Sequence, residues 1–192
     1  MKTLVIVSHP YYERSEITKA FVRSILTLGN DVTIRNIDEL YGTDFTAINV
    51  EEEQKAFEAA DRIVFLFPVH WFNLTPMLKA YMNAVWSYGW AFGEGGYAIA
   101  GKELQVICSA GAREEVYQPN GLVQCTGEDI LSSIEASAYY TGMTYNTPMV
   151  FMGVGAGVSD ELLADWQNQV LARLGSPLGT NVKSKSTRRM PA

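Results

Sequence analysis

The chain has two histidines, and each follows an apolar run that ends in a loop: His9 after TLVIVS and His70 after IVFLFPV. Imidazole changes charge near neutral pH, so the placement of both histidines in such loops marks them as candidates for function, as it would any exposed strand end. His70 is followed by Trp71 and Phe72, where a chain leaving a strand normally turns polar. Apolar surface left in water forfeits roughly 25 cal/mol per Å2, so these rings imply a cover, either a flat apolar ligand or a partner chain. Behind His9, SHPYYERSEIT places Arg14, Ser15 and Thr18 at the start of a helical pattern. A helix start offers unpaired N–H groups and about half a positive charge, which suits a phosphate. Ser15 equally serves as an N-cap, and Glu16 competes with a phosphate only if it turns inward. A third segment, SAGAREEVY, sets Gly111 among small residues, where backbone can approach a ligand closely.

Other chemistries find no pattern. There is no GxxxxGK[ST] for a nucleoside triphosphate, and GVGAG at 153–157 does not spell GxGxxG and reads as a turn. Cys108 and Cys125 lack CxxC spacing and the density of a disulfide framework, so a reducing compartment is expected. No metal site is expected.

The elements that must position these loops alternate between strand-length apolar runs and segments of helical period, the pattern of βα units around a parallel sheet. Strands are expected over 3–9, 31–38, 62–68, 103–110 and 145–153. Helices are expected from Ser15 to Gly29, over 50–60, from Pro76 to about Tyr88, over 127–142, and from Ser159 or Asp160 to Gly175. This describes an α/β, flavodoxin-like three-layer doubly wound fold with a five-stranded parallel sheet in the order 2-1-3-4-5. In such a sheet, ligands bind beyond the carboxyl ends of the strands, where the three loops would meet. The glycine- and aromatic-rich stretch WSYGWAFGEGGYAIAG, 86–101, suits either a flap over a planar substrate or a dimer contact.

A length of 192 residues, 47% of them hydrophobic, supports one core and one domain, 1–175, followed by a basic tail, 176–192. The tail carries Lys183, Lys185, Arg188 and Arg189 and is expected to wrap a neighbour or stay mobile. A formal net charge of -6 argues against nucleic-acid binding and against a general anionic membrane surface. The N-terminal apolar run is too short for a span and lacks a signal-peptide pattern, so a cytoplasmic location is expected.

HPYYERSEIT, FPVHWFNLTPMLKAYMNAVW, GWAFGEGG and SAGAREEVY, in that order and spacing, resemble the flavodoxin-2 family of NAD(P)H quinone reductases. The family includes bacterial quinone reductases and ancillary subunits of glutathione-gated potassium efflux systems, and the resemblance covers residues 3 to 170. It implies that His9, Ser15, Glu16, Ile17 and Thr18 hold a flavin phosphate. It implies further that Pro68, Val69, His70, Trp71 and Phe72 present backbone and an aromatic wall to the isoalloxazine ring. Ser109, Ala110, Gly111, Ala112 and Tyr117 would border its pyrimidine side, with Tyr117 the candidate catalytic residue. The implied cofactor is FMN rather than FAD, because the longer members' extension is missing. NADPH or NADH would be the electron donor and a quinone or similar planar compound the acceptor, in a two-electron, ping-pong reaction. The expected assembly is a homodimer, and the alternative role is a regulatory subunit docked on a membrane potassium transporter. The chain departs from the family at Thr18, often Asn, and at Ser109-Ala110-Gly111-Ala112, often TTGG. It also has Val123 where long members carry a histidine, which leaves proton delivery to Tyr117 or to water.

Overall fold

A computed structural model describes residues 1–183. Three continuously apolar runs, β1 (Thr3–Val7), β3 (Arg62–Pro68) and β4 (Glu103–Ala110), form the middle of a parallel sheet. β2 (Val32–Asn36), only partly buried, pairs outside β1. On the other flank β5 (Thr144–Tyr145) and β6 (Met149–Met152) both pair with β4, so the strand order is β2-β1-β3-β4-β5 with six strands in five positions. Because successive side chains point to opposite faces, each central strand feeds two cores. Leu4, Ile6, Phe65 and Val106 pack beneath α2 (Ile37–Tyr41), α3 (Val50–Glu58), α4 (Pro76–Val85) and α5 (Ser132–Tyr140). Val5, Val7, Val64 and Ile107 pack against α1 (Glu16–Leu26) and α6 (Asp160–Gly175).

The element boundaries differ from the expected ones where side-chain chemistry ends an element early. β1 stops at Val7 rather than at residue 9, because Ser8 turns into a buried polar relay. β2 stops at Asn36, and the alternating Ile37 that suggested more strand is instead the buried start of α2. α4 ends at Val85, three residues early, with Trp86 outside helical geometry. α5 begins at Ser132, after a 3-10 turn over Asp129–Leu131. The fifth strand is broken between β5 and β6. Pro148 has no N–H for a ladder, and the carbonyl of Thr147 is taken by Gln105 and Arg173 side chains.

Two longer segments also depart from expectation. Residues 181–183 are not mobile but pack on their own domain: Asn146 bridges Val182, and Lys183 pairs with Glu135 at 2.9 Å and Glu128 at 3.3 Å. The rest of the basic tail, 184–192, lies outside the described residues. The stretch 86–101 is not a flap over this chain's own carboxyl-edge loops. α4 has already carried the chain to the amino edge, where Trp90 bonds Glu58, Phe92 meets the tilted ring of Tyr140 and Gly101 bonds Gly142. No helix among the described residues is long and apolar enough to cross a membrane.

Candidate functional site

At the carboxyl end of β1 the chain turns through a 3-10 turn, Tyr12–Arg14, into α1. Ser15 is the N-cap: its Oγ accepts from the Thr18 N–H at 3.2 Å and donates to Thr18 Oγ1 at 2.9 Å. These two hydroxyls therefore largely serve each other, and Thr18 is buried. What remains for an anion is backbone, since the N–H groups of Glu16 and Ile17 precede the first intrahelical bond. Glu16 does not compete, because its exposed side chain pairs with Lys19 at 3.5 Å. His9 and Arg14 line a cavity of about 270 Å3 at this turn, together with Asp38 and Glu39.

His9 is poised as a donor. Its Nδ1 accepts the Tyr11 N–H at 3.1 Å, which leaves the proton of the neutral ring on Nε2. Burial, and then the neighbouring His70, hold its pKa below the ordinary 6.5, while Asp38 opposes them. Folded protein thus binds fewer protons at His9 than unfolded chain does. The stability this contributes is whole above pH 6.5 and is lost as pH falls below 6.5 through the lowered value. Apoprotein melted across pH 8 to 5 should lose stability below 6.5, and His9→Gln should flatten that part of the profile; an unchanged profile would remove His9 as its source.

The stretch that follows β3 is a tight hairpin. His70 and Asn73 exchange both backbone hydrogen bonds at 3.0 Å, and the two residues between them have positive φ, 46° at Trp71 and 61° at Phe72. Both central residues left-handed is the mark of a type I′ turn, whose usual occupants are Asn-Gly. A left-handed side chain costs about 1–2 kcal/mol, and here two bulky aromatics bear it. Trp71 is nevertheless 93% exposed. Phe72 meets the ring of Tyr117 edge-on, with centroids 6.0 Å apart.

A buried relay fixes this turn relative to the first loop. Thr75, the N-cap of α4, donates to Ser8 Oγ, and Ser8 donates to Asp38 Oδ2 at 2.7 Å. The end of β1 is thereby pinned to the start of α4. Serine next to a strand-end histidine was the available signal for it, but its partners lie 30 and 67 residues away.

The third wall comes from β4. Val69 N–H bonds the Ser109 carbonyl at 2.7 Å, and Pro68 sits opposite Ser109 in the ladder. Ser109 and Ala110 are buried strand residues, so only Gly111 and Ala112 are loop. GVGAG is the turn it was read as, and it also props this loop. Gly153 N–H bonds Ala112 O at 2.8 Å and Gly155 N–H bonds Gly111 O at 3.0 Å. A Cβ on Gly155 would stand 2.9 Å from that same Gly111 oxygen. Tyr117 is buried, and desolvation, then Cys108 and Cys125, raise its pKa, so it holds its proton at neutral pH.

One edge of the sheet therefore gathers His9 with the free end of α1, the aromatic turn 70–73, and Gly111–Ala112 with Tyr117. A loop with free helix-start N–H groups, beside a strained aromatic turn whose Trp71 is exposed and a protonated phenol, could receive a phosphorylated planar ring. Among the described residues no cluster suits a metal ion.

Comparison with known proteins agrees with this architecture. Residues 1–174 match the model of the flavodoxin-2 family, described by its flavodoxin-like fold. The chain is 36% identical over 174 residues to the uncharacterized NAD(P)H oxidoreductase YdeQ of Bacillus subtilis, covering 91% of this chain and 86% of that protein. Among solved structures, it resembles the general stress protein 14 of Treponema denticola in complex with FMN. That pair shares 30% identity and a TM-score of 0.84, covering 91% of this chain and 98% of the other. It also resembles an NADPH-quinone reductase of P. pentosaceus, with 28% identity and a TM-score of 0.76, covering 88% of this chain and 98% of the other.

Proposed function

This chain belongs to the flavodoxin-2 family, and from that premise we propose that it is an FMN-dependent NAD(P)H oxidoreductase that reduces a quinone or similarly planar acceptor. The observation that carries the reading is the Trp71-Phe72 turn, where strain and exposed aromatic surface are both retained. The relatives' names, an NAD(P)H oxidoreductase and an NADPH-quinone reductase, and the FMN complex of a similar protein support it.

FMN, when bound, would supply two-electron transfer between a nicotinamide and the acceptor. The residues contribute position and protons. The N–H groups of Glu16 and Ile17, with His9 Nε2–H, would hold the phosphate, and Arg14 would add charge at the rim. Trp71 and Phe72 would form the ring's wall, while the backbone at Pro68–His70 and Gly111–Ala112 would border its polar edge. Tyr117, kept protonated, would donate its O–H toward the acceptor oxygen as charge develops there. One pocket would take the two substrates in turn, a ping-pong order.

We also propose a homodimer. Tyr88, Tyr97 and Tyr140 are exposed at the amino edge, an aromatic surface that a second copy would cover.

The test is the visible spectrum of the purified protein, with FMN added if it is colourless, before and after anaerobic NADPH or NADH. Flavin bands that bleach and then return on adding a quinone are expected. Protein that retains neither FMN nor FAD would sink the reading. In the same assay Tyr117→Phe should slow reoxidation by quinone roughly 10²-fold, the lower range for a positioned acid, with flavin occupancy unchanged.

A further inference from the structure

The open flank of the sheet carries a cavity of about 510 Å3, a size typical of small-molecule sites, about 300–1,000 Å3. Its floor is β6, which pairs only with β4, and its side is α6. The rings of Phe151 and Trp166 meet there with centroids 5.0 Å apart, and with Met149 they give it an apolar lining. The two ends are charged. At the start of β6 stands Arg173, held by the Thr147 carbonyl. Past the end of β6 stand Arg113, whose Cγ lies 3.7 Å from where a Cβ on Gly153 would be, and the adjoining Glu114 and Glu115. Arg173 is only partly exposed, yet among the described residues no carboxylate pairs with it. Its Nη1 is engaged, donating to Gln105 Oε1 at 3.0 Å and to the Thr147 carbonyl, while Nε and Nη2 have no acceptor among the described residues. Burial, and then Arg62, lower its pKa, as expected of a cation withdrawn from water without an anion. Proteins pair such charges, and a carboxylate would take both free nitrogens at once. The acids at the other end limit the rest of the ligand. Glu114 and Glu115 are exposed and have no ion pair among the described residues, so a second anionic group would meet two carboxylates against the single guanidinium of Arg113.

We infer that this cavity binds an apolar monocarboxylate, with its carboxylate on Arg173 and its body against Phe151 and Trp166. None of the lining residues is among those proposed to hold the flavin. The site therefore stands whether or not the chain binds FMN.

The experiment is calorimetric titration of the full chain with octanoate, with the uncharged octanamide and with the dianion suberate, each with and without saturating FMN. Expected is saturable binding of octanoate, with octanamide weaker by about tenfold or more, the range for losing a hydrogen bond between charged groups, and suberate weaker as well. Arg173→Gln should bring octanoate down to the affinity of octanamide and leave octanamide where it was. Because Arg173 also holds Thr147, a second variant keeps the test independent of folding. Glu114→Gln with Glu115→Gln, both on the surface, should raise suberate toward octanoate at an unchanged melting midpoint. No binding of octanoate overturns the site, and so does octanoate binding that Arg173→Gln leaves unchanged in a folded protein. Suberate bound as tightly as octanoate overturns the restriction to one carboxylate. Octanoate displaced by FMN would lie on the aromatic turn, and the assignment to this cavity would fall. Failure of the flavin reading looks different: octanoate would bind and respond to Arg173→Gln in protein that retained no flavin.

Discussion

The double substitution Trp71→Asn, Phe72→Gly is expected to raise the unfolding midpoint of the apoprotein and, on the proposed function, to remove the flavin binding. Asn-Gly is the dipeptide that a type I′ turn prefers, and the native pair spends about 1–2 kcal/mol per left-handed residue. Trp71, 93% exposed, gives up little burial, whereas Phe72, 41% exposed, gives up about 1–2 kcal/mol of it. For a chain of this size each kcal/mol is worth about 2–4 °C, and the added freedom of glycine in the unfolded chain takes back about 0.4–1 kcal/mol. A small net gain should remain. Flavin affinity should fall by about 10²-fold, since aromatic stacking on a flat heterocycle contributes about 1–3 kcal/mol per ring. Trp71→Ala alone separates the two effects: it removes a wall but leaves a side chain in the left-handed region, so it should lose flavin with no comparable gain in stability. A double variant that is less stable and still yellow would show that these residues serve the fold.

That turn also shows how far the sequence could be read. FPVHWFNLTP announced an uncovered aromatic loop from composition alone, and the loop is there. Its backbone was not legible, because nothing about Trp-Phe predicts the conformation normally reserved for Asn-Gly. The three loops do meet at one edge, as the βα alternation required, and the strand order followed from the same pattern. The stretch 86–101 shows the opposite case. Its glycines and aromatics suited a flap, but a ten-residue helix spans about 15 Å and delivers the stretch to the wrong end of the sheet. Ser15 and Thr18 show a finer limit. Both lie at the helix start, and only the geometry reveals that their hydroxyls pair with each other. Split strands are illegible for a related reason: Pro148 marks a possible break, but the Arg173 and Gln105 side chains that satisfy Thr147 come from distant elements.

Arg62→Ala is expected to destabilise the protein by about 3–5 kcal/mol, the range for leaving one member of a buried ion pair uncompensated. Arg62 is 1% exposed, and its Nε donates to Glu103 Oε2 at 2.8 Å. Its other nitrogens donate to the carbonyls of Leu174 at 2.8 Å and Ser176 at 2.9 Å, satisfying the last turn of α6. Glu103, in turn, accepts from Asn146 and from the Gly179 N–H, so the same pair anchors the segment that covers β5. Removing the guanidinium frees the end of a helix, the start of the tail and a buried carboxylate together. The midpoint should drop by roughly 6–20 °C on the same size scaling. Flavin affinity at 20 °C should stay within a factor of two, because Arg62 begins β3 and the site lies beyond its other end, about 20 Å away at 3.3 Å per residue. Arg62→Met combined with Glu103→Leu should recover much of the loss, since apolar replacement of a whole buried pair is often neutral. A midpoint within 1 °C of the native protein would mean the pair contributes nothing. A matching loss of flavin would mean that the amino edge, where the exposed tyrosines stand, communicates with the site.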